Sequence, residues 1–193
     1  MRYAGMYLKK YGQQVTINRE KPATAYAGLK RSSKATSSIT ARDSMFEGLI
    51  EASSALVSGD TFTIGNDTYL VQTADFDHHS GEIIFFSVRT NSIASVLVEE
   101  ETADENLHLV KEWKSLKSNI LCYKEVVTRT QRQHDAGILD NTIYIIQIPK
   151  VAEIKELSRV IFDGDTKKYK IESFDNDGLD GVYKIQLSKD TRP

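Results

Sequence analysis

The sequence predicts a mainly β protein with short helices: two small β-barrel or sandwich-like domains in tandem, with long hairpin arms and a short linking helix. Three observations carry this. First, the end of the chain resembles its middle at a fixed offset of one hundred residues. Tyr69-Leu70-Val71-Gln72-Thr73-Ala74-Asp75-Phe76-Asp77 aligns without a gap on Tyr169-Lys170-Ile171-Glu172-Ser173-Phe174-Asp175-Asn176-Asp177, and Gly81 falls on Gly181. Second, each copy runs from an alternating segment through an acidic turn into another alternating segment, Ile83 to Val88 and Tyr183 to Leu187, the pattern of a β-hairpin. Third, 193 residues suit two domains of roughly 90 residues each as well as one large domain, and the internal similarity favours two. The domains are read as 1–100 and 101–193.

The elements follow in order. Tyr3, Met6, Tyr7 and Tyr11 share one face of a short helix, and Gly12 stands where it would stop. Gln14 to Arg19 alternates as a short strand. After Pro22 the pattern dissolves into small and polar residues, which predicts a long loop or extended hairpin arm over about 20–43. A strand from Ser44 to Ile50, a Gly59-Asp60 turn and a strand at Thr61 to Ile64 lead into the first repeated hairpin. Thr102-Ala103-Asp104-Glu105 has the form of a capping box, and Leu107, Val110, Trp113 and Leu116 or Lys117 would share a face beyond it. A linking helix over about 103–117 is therefore expected. In the second half, Asn119 to Thr130 reads as a long strand, Gln133 to Gly137 as a turn, and Thr142 to Ile148 as a returning strand. Val151 to Leu157 reads as a short helix or an edge segment, before the second repeated hairpin.

Composition narrows the function. A hydrophobic content of 40% beside 27% charged residues is that of an ordinary soluble globular protein, and no apolar run approaches the roughly 20 residues of a membrane span. The N-terminus lacks the apolar stretch of a signal peptide, so a cytosolic protein is expected. The single Cys122, between Leu121 and Tyr123, permits no intrachain disulfide and reads as packed into a sheet. A net charge of −2 argues against a dedicated nucleic-acid binder.

Chemical motifs resolve mostly into turns. Asp75 to Glu82, with His78 and His79, offers metal-ligand types, but neighbouring turn residues point apart and the second copy has Gly178 and Leu179 in place of the histidines. Asp175-Asn176-Asp177-Gly178-Leu179-Asp180 has the oxygen donors of a calcium loop, yet its twelfth position is Gln186 rather than a bidentate Glu. Phosphate-cradling glycine loops and nucleophile elbows are absent, so no metal, cofactor or catalysis is expected. Basic arms carry the functional reading. Between Glu20 and Asp43 lie Lys21, Lys30, Arg31, Lys34 and Arg42 with no acidic residue, and the second half adds Arg129 and Arg132 beside His134. Such cations would meet DNA phosphates without sequence preference, or an acidic surface on a neighbouring protein.

The phrase Phe162-Asp163-Gly164-Asp165-Thr166-Lys167-Lys168-Tyr169-Lys170-Ile171, its continuation to Val182-Tyr183-Lys184-Ile185, and the opening Tyr7-Leu8-Lys9-Lys10-Tyr11-Gly12-Gln13-Gln14-Val15-Thr16-Ile17 resemble the head-closure or head–tail adaptor proteins of tailed bacteriophages. Typical members carry one copy of the domain, so the duplication is a departure. The resemblance implies a virion protein of the phage neck, assembled in the host cytoplasm as a homo-oligomeric ring that lines or seals the DNA channel. It implies a portal or adaptor protein on the head side and a tail terminator or tail tube protein on the tail side, with no membrane partner. Two alternatives stand beside it, a tail-completion or baseplate-proximal ring protein and, from another class, an OB- or SH3-like nucleic-acid-binding module. A hydrolase is a third reading, without support from any residue spacing.

Overall fold

The structure is a computed structural model that describes residues 3–32, 44–103, 109–151, 154–175 and 178–192. Helix α1 (Tyr3–Tyr11) is followed by β1 (Gln13–Asn18), β2 (Ala23–Arg31), β3 (Met45–Ile50), a single 3-10 turn (Ala52–Ser54), β4 (Thr61–Ile64), β5 (Asp67–Asp77) and β6 (Glu82–Arg89). The second series is β7 (Ser92–Ala103), β8 (Leu109–Val126), α2 (Arg129–His134), β9 (Tyr144–Pro149), β10 (Arg159–Phe162), β11 (Lys168–Asp175) and β12 (Val182–Lys189). The strands form two closed antiparallel barrels, and the first division between compact units falls between Asn91 and Ser92.

In the first barrel the neighbours run β1-β2-β3-β6-β5-β4, with β4 returning to β1 through Ile17 opposite Phe62. In the second they run β7-β8-β9-β12-β11-β10, with β10 returning to β7 through Val160 opposite Val96. The two orders are the same. The duplicated hairpins also share a ladder. Tyr69 faces Arg89 and Tyr169 faces Lys189; the pairing slips once between Val71 and Thr73, and again between Ile171 and Ser173. A one-residue bulge at the same place in both copies bends each β5-type strand around its barrel.

Closure leaves the barrel strands without free edges, and alternation fills the interiors. In β1, Val15 and Ile17 point inward between exposed neighbours. They join Phe62, Tyr69, Val71 and Phe85 in the first core. Phe62 stacks on Tyr69 at 5.1 Å between ring centroids and meets Phe85 edge-on at 5.4 Å. Each of these side chains contributes roughly 1.5–3 kcal/mol by leaving water. The second core holds Val96, Cys122, Ile146, Phe162, Ile171, Ile185 and Leu187, all 1% exposed or less. Gly48 is set by packing: a Cβ there would stand 2.4 Å from the Gly28 carbonyl oxygen and 2.7 Å from the Phe85 ring.

Four expectations need correction. The linking helix over 103–117 does not form: residues 109–117 belong to β8, which pairs with β7 from Ser92 opposite Cys122 to Ala103 opposite Leu109. Residues 104–108, which include the rest of the capping box, lie outside the described residues. Local capping and helical spacing lost to a complementary strand, because the glutamates at 99–101 find lysines at 111 and 114 across the ladder. Within the arm read over 20–43, residues 33–43 lie outside the described residues, and Ala23–Arg31 is a barrel strand that pairs with β1 on one side and β3 on the other. Its inward residues, Ala25 and Ala27, are small, so its alternation is faint. The strand read from Asn119 to Thr130 begins at Leu109 and ends at Val126, and residues 129–134 form α2. The second unit starts at Ser92, ahead of the boundary read at 100/101, because β7 supplies its first strand.

Candidate interaction surfaces

Among the described basic residues of the first unit, Lys21 stands apart from Lys30 and Arg31. Lys21 lies exposed in the turn before β2, while Lys30 and Arg31 end that strand, roughly 30 Å away at extended spacing. Lys30 Nζ lies 3.0 Å from Glu47 across the ladder. Its side chain is 77% exposed against 15% for its partner, so the cation faces water while the carboxylate is tucked in. Lys9 and Glu51 repeat this arrangement at 3.6 Å, with exposures of 67% and 14%. Lys34 and Arg42 lie outside the described residues.

In the second unit Arg129 and Arg132 sit on α2, and local chemistry fixes that helix. Thr128 Oγ1 accepts from the Gln131 amide, while Gln131 Oε1 accepts from the Thr128 amide, which satisfies two donors at the helix start. The Gln131 side-chain amide also donates to Glu125 at 2.7 Å. Arg132 donates to the Thr142 carbonyl, tying α2 to the return strand, whereas Arg129 is exposed.

Beyond the second barrel, β7 and β8 continue as a two-stranded ribbon. The described β7–β10 ladder covers Ala94–Leu97 and the β8–β9 ladder covers Tyr123–Val126, so the described ladders leave the outer edges of 98–103 and 109–119 open. One ribbon face carries Glu99 opposite Trp113 and Glu101 opposite Lys111; the other carries Glu100 opposite Glu112 and Thr102 opposite Val110. Lys114 reaches Glu100 at 2.6 Å, and Lys111 lies between Glu99 and Glu101 at 3.6 and 3.5 Å. Leu109 and Val110, near the far end, are exposed.

The root of the ribbon is clamped. The Arg159 guanidinium lies 3.8 Å from the centroid of the Trp113 ring and that of Arg192 lies at 4.8 Å. Both cations bind Asp190: Arg159 Nε donates at 2.8 Å and Arg192 Nε at 2.9 Å. Arg192 and Arg159 also donate to the carbonyls of Leu157 and Arg192 at 2.7 and 3.0 Å. Arg159 and Asp190 are almost wholly buried. Burial opposes ionisation of Asp190, but the hydrogen bonds from Arg192 and Arg159 outweigh it and hold the carboxyl well below the usual range. Sequence reading found none of this clamp, whose members are strung from 113 to 192.

On the outside of the first barrel, a groove of about 730 Å³ opens between α1 and strands β2, β3 and β6. Its apolar lining is Tyr7, Leu8, Leu29, Leu49, Ile84 and Phe86, and its charged residues are Lys30, Glu47 and Asp77. Tyr7 packs on Tyr11 at 4.7 Å, and both rings are more than half exposed.

The acidic turns carry ordinary turn chemistry. Asp77 accepts from the amides of His79 and Ser80, each at 3.1 Å, and these bonds, with the Ser80 hydroxyl first among them, lower its carboxyl below the ordinary range. Residues 176 and 177 of the second acidic turn lie outside the described residues. Among the described residues, no three His, Cys, Asp or Glu side chains gather to hold a metal, and no helix is long and apolar enough to cross a membrane. Cys122 is buried and donates to the Ser92 carbonyl at 3.3 Å; burial pushes its thiol up to about 12. No protein-family model matches the chain, and no curated protein matches it.

Proposed function

We propose that this chain is a non-enzymatic structural subunit of a tailed-phage neck, a head-closure or head–tail connector that assembles as a ring between the portal or adaptor and the tail. The observation that carries the reading is the pair of small closed barrels with one strand order, each bearing surfaces beyond what its own core needs. The first bears an apolar groove. The second bears a charged ribbon with open edges. Barrels that have satisfied their own backbone edges are rigid bodies, and extended elements projecting from them gain order by lying on a neighbour. The resemblance of the opening segment and of the repeated hairpin phrase to phage neck proteins supports the same reading. In such a ring the exposed Lys21, Arg31 and Arg129 would face DNA or an acidic neighbour without sequence preference.

Electron microscopy of lysates from a phage with this gene disrupted tests the proposal. Finished tails beside heads that have lost their DNA are the expected result. Stable, filled heads with tails missing or malformed would move the protein to tail completion. Normal particles would overturn the structural role and favour the nucleic-acid-binding module, whose affinity for DNA would fall steeply with salt.

A further inference from the structure

We infer that the two open edges of the β7–β8 ribbon pair with each other between copies of this chain, the β7 edge of one copy against the β8 edge of the next, so that the ribbons continue as one antiparallel sheet around a ring. This rests on the ring reading above and names the edges that make the ring.

Three observations select this pairing. The first is the unpaired backbone. The β7–β8 ladder slips twice where the ribbon leaves the barrel, between Ala94 and Val96 and between Val96 and Leu97, and past Leu97 the described ladders give β7 and this length of β8 only each other. A strand edge left in this state is a template for another strand. The second is the sign of each edge. Over 98–103, β7 carries Glu99, Glu100 and Glu101 and no cation, whereas over 109–117, β8 carries Lys111, Lys114 and Lys117 against one carboxylate, Glu112. Pairing β7 with β7, or β8 with β8, sets like charges side by side and is penalised. Pairing β7 with β8 sets each lysine row between two glutamate rows. The ion pairs within the ribbon leave room for this, since Lys114 and Glu100 keep side-chain exposures of 51% and 49% and Lys117 is exposed. The charges therefore disfavour a two-fold dimer through either edge and favour a heterologous contact. The third is direction. Because β7 and β8 run antiparallel within a copy, copies related by rotation about an axis along the strands bring β7 of one antiparallel to β8 of the next, and repetition closes a ring when the rotation does. The stacking of Arg159 and Arg192 on Trp113 fixes the ribbon's root before it meets a neighbour, which lowers the cost of ordering it there.

The test exchanges the two rows in the full chain, combining Glu99→Lys, Glu100→Lys and Glu101→Lys with Lys111→Glu, Lys114→Glu and Lys117→Glu. The pairs within each ribbon survive with their signs reversed, so thermal unfolding by circular dichroism should stay close to that of the unsubstituted chain. The exchanged chain should also form rings of its own in sedimentation velocity. Co-expressed, the two chains should sort, because an original β7 edge meets an exchanged β8 edge of the same sign. A tagged exchanged chain should then retain roughly tenfold less of the original than a tagged original does. Equal retention, or a folded exchanged chain that stays monomeric, overturns the edge pairing while the ring reading stands. An unsubstituted chain that stays monomeric at every concentration overturns both and leaves the edges to a strand of another protein. A second measurement decides if the exchanged chain unfolds. Glu101→Cys on β7 and Ser115→Cys on β8 replace exposed side chains, and Cys122 is buried. Treated with a bismaleimide, these two single variants should give covalent dimers only when co-expressed. Dimers from either variant alone mean that like edges pair and overturn the proposal, as does a co-expressed pair that gives none.

Discussion

The two units share strand order, hairpin register and bulge position, yet differ in how their opening strands are connected. In the first, β1 passes to β2 through a short turn, whereas the corresponding strands of the second, β7 and β8, run past the barrel as the ribbon. Between β8 and β9 the second unit carries the capped helix α2. The interiors repeat more faithfully: Phe46 meets Tyr69 edge-on at 5.1 Å, and Tyr144 meets Tyr169 at 5.2 Å. The lesson is that closing a six-stranded barrel fixes register and inward side chains, because a one-residue slip would turn the core outward. Connections carry no such constraint, and partner surfaces can be built there.

The largest test of this comparison concerns the Arg–Asp clamps. Arg159–Asp190 is buried, while Arg19–Asp60 in the first unit is partly open, with side-chain exposures of 31% and 13%. Asp190→Asn should destabilise the second unit by about 3 kcal/mol, because Arg159 is left as a buried charge without its counterion; Asp60→Asn should cost about 1 kcal/mol. The chain's one tryptophan, Trp113, lies in the second unit, so its fluorescence reads that unit's unfolding while circular dichroism reads both. Equal losses at the two sites would break the distinction. The pH dependence follows in sign. A carboxyl whose folded pKa lies below its ordinary value of 3.8 contributes stability that is complete above that value and lost as pH falls below it. The unsubstituted second unit should therefore lose stability more steeply below about pH 4 than Asp190→Asn does.

Next in size is the ribbon's anchor. Trp113→Ala removes the ring stacked on Arg159 and Arg192, a contact of about 1–2 kcal/mol. Trypsin should then cut at Lys111, Lys114 and Lys117 roughly tenfold faster, with the first unit unaffected. Unchanged cleavage would mean that the cross-strand ion pairs alone hold the ribbon. A smaller effect is expected at the first repeated turn, where Gly81 has φ +74° and donates to the Asp77 carbonyl at 2.8 Å. Gly81→Ala should cost about 1 kcal/mol in circular-dichroism unfolding and leave Trp113 fluorescence unfolding unmoved. The smallest disturbance is a labelling measurement. With its thiol raised from 9.0 to about 12, Cys122 should react with iodoacetamide about a thousandfold more slowly at pH 8 in the folded chain than in denaturant. Its contribution to stability is present below about pH 9 and fades as pH rises above that.

Much of the fold was legible because the hairpins repeat with large, alternating side chains. Tyr69, Val71, Ile83 and Phe85, and Tyr169, Ile171, Ile185 and Leu187, announce inward positions. Strand β2 was obscured because its inward residues are alanines, and β7 because Val98 runs into three consecutive glutamates whose partners lie on another strand. The helix expected over 103–117 shows the same limit, since its capping residues are local and the lysine partners are not. Of the surfaces, the cations Lys21, Lys30, Arg31, Arg129 and Arg132 were visible as residue types. What they do depends on distant partners, Glu47 for Lys30 and Thr142 for Arg132. The groove and the Trp113 clamp arise only when strands far apart in the chain are brought together.

Each barrel is also contiguous along the chain, and this bears on synthesis. The first barrel's closing contact, Ile17 with Phe62, and its last strand, ending at Arg89, are complete before any residue of β7 is made. A chain emerging at about 5–20 residues per second therefore gives the first barrel seconds in which to close before its near-copy appears. Two similar barrels in one chain are at risk of exchanging their matching hairpins, which share register at an offset of one hundred. Vectorial emergence reduces that risk, so refolding of the full chain from denaturant should show a slow misassembled fraction that translation avoids.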